Sequence, residues 1–240
     1  MNSYKLYFLI IAIFSYSIIS SAQDLTGLDE SLFPQYSKYL KKLPNELKKE
    51  FVFNFITDKK QVVITFDDGP NYNTKKIISF LIKNKIPATF FVITNQLNNN
   101  NLKYYNHELI DLGIHSYEHN NFDKISKIEI QDDIQKSLKF HSDNNINTKF
   151  FRTPYGVINQ DLSNELKKSN LKGVLWSVDS HDWNSKDPEH ILMKSTEKIV
   201  NGSIILFHDA LKLELLKNIV DKIHKKGFKI ISLKDALKTN

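Results

Sequence analysis

Asp67 and Asp68 close an apolar run in Thr65-Phe66-Asp67-Asp68-Gly69-Pro70, and further along His115-Ser116-Tyr117-Glu118-His119 offers two imidazoles four positions apart. One carboxylate and two imidazoles make a three-ligand set that leaves a coordination position open on a divalent ion, which suits catalysis better than scaffolding. A lone His-x-x-x-His is as readily two surface histidines on one helix face. Joined to the Asp-Asp-Gly-Pro segment it becomes a ligand set: Asp68, His115 and His119. Zinc is the first expectation for these donors, and cobalt or nickel suit the same ligand types. The adjacent aspartates do not read as a glycosidase pair, since consecutive strand residues point to opposite faces and such pairs stand roughly 5 to 10 Å apart across the scissile bond. A better division leaves Asp67 beside the ion as general base toward a water whose acidity the metal has raised.

The remaining parts of a metal-assisted hydrolase are also present. His208, in Leu206-Phe207-His208-Asp209, can carry a proton near neutral pH and so protonate a leaving amine, with Asp182 expected on its other ring nitrogen. Arg152, in Phe151-Arg152-Thr153-Pro154-Tyr155-Gly156, supplies a fixed charge to pair with Asp67 and orient it. The turn that follows could aim the Tyr155 amide at a tetrahedral oxyanion. Trp183 and Leu206 would form an apolar wall of about methyl size.

These clusters come together only if the elements bearing them converge. Short β-branched and aromatic runs predict strands at Gln61 to Phe66, Ala88 to Val92, Gly113 to His115, Lys149 to Arg152, Gly173 to Ser177, Ser203 to Phe207 and Lys229 to Ser232. Most are apolar throughout, as in a parallel sheet covered on both faces. Between them, helices are predicted at Thr74 to Asn84, Tyr104 to Leu112, Lys127 to Phe140, Gln160 to Ser169, Pro188 to Ile199 and Leu211 to Lys226. Ser126 with Glu129 forms a capping box, and Asp187 before Pro188 is an N-cap with proline at the first helical position. Asn98 to Asn101 reads as a surface loop. The alternation gives an α/β fold, barrel or open sheet, with every unusual polar cluster at or just after a strand, where many loops converge on one pocket.

The chain's 240 residues, 41% hydrophobic and 25% charged, suit a single well-buried domain. A net charge of +6 is spread as scattered lysines, with no basic stripe or interleaved aromatics of a nucleic-acid binder. Lys5, the apolar stretch from Leu6 to Ile19 and Ser20-Ser21-Ala22 read as a secretory signal peptide over residues 1–22, cleaved after Ala22. The apolar part, about fourteen residues, is short of the roughly 20 that span a membrane. Export without stable membrane insertion is expected. With no cysteine, there is no disulfide framework or thiol nucleophile. Residues 23–59 are polar and lysine-rich and are expected to form a short helical extension before a main domain at 60–240.

The whole pattern resembles the NodB-type polysaccharide deacetylases, carbohydrate esterase family four, over roughly Lys60 to Leu237. Thr65 to Pro70 is similar to the family's first motif, His115 and His119 to the second, Arg152 to Gly156 to the third, Asp179 to Trp183 to the fourth and Leu206 to His208 to the fifth, in the family's order. The resemblance implies a distorted (β/α)7 barrel and metal-dependent removal of acetyl groups from an N-acetylated glycan, by a protein expected to be monomeric. Alternatives within it are an O-acetyl esterase on xylan-type glycans and a catalytically silent glycan-binding relative. Ile114 stands before the histidine motif where asparagine is frequent in the family.

Overall fold

The computed structural model describes Pro44, Leu47 and residues 49–238. The expected signal peptide and most of the N-terminal extension lie outside the described residues. Among the described residues no helix is long and apolar enough to cross a membrane.

In chain order the elements are β1 (Phe51–Val52), β2 (Gln61–Gly69), α1 (Thr74–Lys83), β3 (Ala88–Val92), α2 (Asn99–Leu102), β4 (Ile110–Ile114), α3 (Lys127–Asp143), β5 (Phe150–Phe151), α4 (Gln160–Lys168), β6 (Lys172–Val174), β7 (Val178–Asp179), α5 (Pro188–Thr196), β8 (Ile204–His208), α6 (Leu213–Lys225), β9 (Lys229–Ile230) and α7 (Leu233–Leu237). All named strand pairs are parallel, in the order β1-β6-β5-β4-β3-β2-β8-β7, with β9 against the start of β2. Strands β6 and β7 belong to one stretch of chain that pairs with β5 at one end and β8 at the other. The sheet thereby curls back on itself into a distorted (β/α)7 barrel; the expected fifth strand, Gly173 to Ser177, forms only at its start as β6, and strand pairing resumes just beyond it as β7.

Alternation along β2 explains the layering. Val62, Ile64 and Phe66 face outward into a core shared with α1 and α6, whereas Val63 faces inward with Phe91, Val174 and Ile204, closed at the base by Leu233 and Ala236 of α7. A second outer core, around Ile114, Phe151, Ile134, Leu162 and Leu166, seats α3 and α4. The signalled helix starts form as expected: Ser126 Oγ accepts from the Glu129 amide at 3.3 Å while Glu129 accepts from the Ser126 amide at 2.7 Å, and Asp187 caps α5.

Three local expectations are corrected. The predicted helix from Tyr104 to Leu112 is replaced by strand β4, which pairs with β3 from Ala88↔Ile110 to Val92↔Ile114. Its apolar residues fit a helical spacing, but the buried strand β3 needs a ladder partner on that side. The Asn98 to Asn101 loop contains the short helix α2, because Asn98 and Asn101 cap each other's backbone. Finally, the described end of the expected helical extension is extended chain. Phe51, Phe53 and Phe55 are buried, β1 pairs with β6, and Phe55 N–H donates to Gly202 O at 2.9 Å. Two glycines admit this segment: a Cβ at Gly173 would stand 2.4 Å from the Phe51 ring, and one at Gly202 (φ +84°) 1.8 Å from Phe55 O. The segment seals the seam between β6 and β8.

Phe51→Ala should therefore cost about 3–5 kcal/mol, as for other buried aromatics cut to alanine. Urea unfolding reads this directly, and a loss below about 1 kcal/mol would mean the segment is only loosely applied.

Candidate active site

Strand alternation sends Val63, Thr65 and Asp67 into the barrel and would send Asp68 outward. The chain avoids this with a bulge. Pairing of β2 with β3 slips between Phe66 and Gly69, and Asp68 takes φ +66°, turning its carboxylate back to the same end of the barrel as Asp67. Asp68 Oδ1 then lies 3.3 Å from His115 Nε2 and 3.1 Å from His119 Nε2. The three donor atoms all stand within 4.8 Å of one another.

The donor set fits a metal ion. His115 Nδ1 lies 2.8 Å from the Arg152 carbonyl oxygen, which can only accept, so in the neutral ring the proton sits on Nδ1 and the Nε2 lone pair faces Asp68. Asp68 Oδ1 is buried and has no hydrogen-bond donor among the described residues. Facing lone pairs of this kind call for a cation between them.

Asp67 lies beside this cluster, its Oδ2 3.8 Å from His115 Nε2 and its Oδ1 accepting from Arg152 Nη1 at 2.8 Å. Arg152 is wholly buried. Its Nη1 also donates to Thr65 Oγ1 at 2.7 Å, Nε to Val174 O and Nη2 to Leu175 O, both at 2.9 Å, and its guanidinium lies over the Phe91 ring at 4.2 Å. A buried cation is tolerable only with this degree of pairing.

On the neighbouring strand His208 stands in register with Asp67. Its Nδ1–H donates to Asp182 Oδ1 at 2.8 Å, while its backbone N–H donates to Asp182 Oδ2, also at 2.8 Å, and Ser180 Oγ supports the same carboxylate. Burial disfavours the imidazolium, but the Asp182 hydrogen bond and charge, with Asp67 and Asp68 nearby, outweigh it and raise His208 to about 9. The Tyr155 ring sits edge-on to His119 at 5.0 Å, in a residue held at φ +61°. Leu206 is buried below His208 on the same face of β8. Trp183 is 60% exposed and stacks on His181, with no ring contact to the Asp68, His115 and His119 cluster.

The polysaccharide deacetylase family model matches residues 56–174. The chain is 30% identical over 206 residues to a peptidoglycan-N-acetylglucosamine deacetylase of Bacillus cereus, covering 80% of this chain and 74% of that relative. The chain belongs to the NodB-type polysaccharide deacetylases, carbohydrate esterase family four. It is also similar, at 29% identity over 200 residues, to the peptidoglycan-N-acetylglucosamine deacetylase PgdA of Listeria monocytogenes, of whose length it spans 41%. Among solved structures, the Bc1960 peptidoglycan N-acetylglucosamine deacetylase superposes with a TM-score of 0.73 at 27% identity, over 80% of this chain and 94% of that one.

In this chain, the left-handed backbone positions sort into two groups. Lys85, Asn145 and Asn170 follow helix ends, an ordinary C-terminal stop. Asp68, in the β2 bulge, and Ser116, His119, Tyr155 and His181, in strand-end loops, lie instead around the site. Each such residue costs on the order of 1–3 kcal/mol and persists only where its surroundings over-determine it.

The sequence reading missed several supports: Thr65 under Arg152, Ser180 under Asp182, and Asp133, whose carboxylate accepts from the Tyr117 amide. For Asp133 a signal existed. It lies on the buried stripe Ile130, Asp133, Ile134, Ser137 and His141 of α3, and an acid on an apolar stripe needs a partner.

A raised histidine pKa adds stability that is fully present below the unfolded value of about 6.5 and is lost as pH rises through 9. In metal-free Asp182→Asn, the His208 titration followed by NMR should move well below that of the wild type. An unmoved titration would mean that Asp182 does not set it.

Proposed function

We propose that the chain is an exported, metal-dependent deacetylase that hydrolyses the N-acetyl group of N-acetylhexosamine units in a cell-envelope or extracellular glycan. The observation carrying this reading is the meeting of a buried carboxylate–guanidinium pair, a His–Asp pair and an Asp-His-His donor set at one end of a barrel. The similarity to relatives that include peptidoglycan and chitooligosaccharide deacetylases supports the substrate class. In this reading residues 60–240 are the catalytic domain of a monomer, and the leader precedes it.

A divalent ion held by Asp68, His115 and His119, zinc first with cobalt and nickel suited to the same donors, would polarise the amide carbonyl and acidify a water. Asp67, held in place by Arg152, takes the proton of the attacking water. The Tyr155 backbone N–H faces the oxyanion as the carbonyl carbon becomes tetrahedral. His208, protonated at neutral pH and aimed by Asp182, gives its proton to the sugar nitrogen as the C–N bond breaks, releasing acetate and a free amine. Trp183 and Leu206 bound the acetyl side.

Mass spectrometry of acetylated glycans incubated with metal-loaded protein tests the activity, and a panel of peptidoglycan, chitooligosaccharide and poly-N-acetylglucosamine that yields no acetate counts decisively against it. Asp67→Asn should keep its metal while acetate release falls about 10²- to 10⁴-fold, the usual contribution of a positioned base. Metal loss in that variant would exchange the roles of the two aspartates. His119→Ala should lose metal on dialysis, read by elemental analysis, and unchanged content would remove His119 from the ligand set.

A further inference from the structure

We infer that Asp133, on helix α3 and outside the ligand set, is a positioning residue for the metal site, fixing the backbone of the 115–119 turn so that both imidazoles face Asp68. The inference rests on the proposed metal ligands.

The turn's polar backbone is divided between two elements. On one side, the Thr94 and Asn95 amides donate to Ser116 O and Tyr117 O, both at 3.1 Å. On the other, Asp133 Oδ1 accepts from Tyr117 N–H at 2.7 Å and Oδ2 from Glu118 N–H at 3.4 Å. Ser116 Oγ accepts from His119 N–H at 2.7 Å, and His115 N–H donates to Val92 O at 2.9 Å. Ser116 and His119, at φ +67° and +63°, bracket the two amides that Asp133 takes. Asp133 is buried and anchored well inside a 17-residue helix, so the turn's geometry is referred to a rigid element rather than to solvent.

An apolar residue at 133 would orphan two amides, and the cheapest repair is for the turn to relax out of its left-handed conformation. That rotates His119 away from Asp68. Asparagine keeps the size but has one acceptor oxygen, and its NH₂ would meet an amide N–H.

Cobalt(II) is the probe, added to the metal-free full-length protein and followed by its visible absorption and by competition with a chelator. Wild type should bind with a low-symmetry spectrum, and Asp133→Asn should lose about 10- to 100-fold in affinity with an altered spectrum, as for other residues that orient ligands. Ser137→Ala, which removes a hydrogen bond to the Asp133 carbonyl without touching the turn, should leave both unchanged. Equal cobalt binding by wild type and Asp133→Asn overturns the inference and leaves the metal site standing, as does an equal loss in Ser137→Ala; a wild type that takes up no cobalt overturns both. Hydrogen exchange on wild type needs no variant: the Glu118 amide should be protected although its side chain is exposed, and free exchange at both Tyr117 and Glu118 would refute the clamp.

Discussion

The buried guanidinium of Arg152 is the constraint around which the barrel is arranged. A charge with no solvent access must find its partners inside, and it takes them from two sides: Asp67 and Thr65 on β2, and the carbonyls of Val174 and Leu175. Those carbonyls come from the end of β6 and the start of the gap before β7. The gap between β6 and β7 is thus also the place where backbone acceptors turn toward the cation. The same arginine gives its own carbonyl to His115 Nδ1, so one residue fixes the orientation of Asp67 and the tautomer of a proposed ligand.

Outward from that cation, the donor groups are delivered by distorted backbone. A regular β2 would separate Asp67 and Asp68 onto opposite faces. The bulge at Asp68 defeats the alternation at the position where two carboxylates must meet, and the 115–119 turn uses left-handed residues to fold two imidazoles onto one spot. The scaffold beneath is regular, with apolar strands, capped helices and a filled interior, and it supplies the stability that such turns consume.

Much of this was legible in the sequence. The apolar runs and helix starts gave the strand–helix alternation, and the residue types at the strand ends gave the candidate donors. What escaped the reading depends on tertiary contact. Nothing local distinguishes Ile110 to Leu112 from the end of a helix; the neighbouring strand decides it. The 51–55 segment, apolar but short and flanked by lysines, gains its conformation from partners more than a hundred positions away. The bulge at Asp68 has a faint local sign, the Gly-Pro that follows, but its direction is set by the histidines it approaches. Asp133 was visible as an acid on an apolar stripe, though its partners could not be named.

The strip of chain just ahead of the barrel has a consequence for the order of assembly. Phe51 finds its neighbour at Gly173, roughly 120 positions later, and Phe55 waits for Gly202, so neither can dock until most of the polypeptide has emerged and curled. Contacts of such long sequence separation are entropically late and slow. A strip synthesised ahead of the barrel is therefore among the last parts to be fastened, and until it is, its aromatic side chains and two unprotected strand margins face outward together.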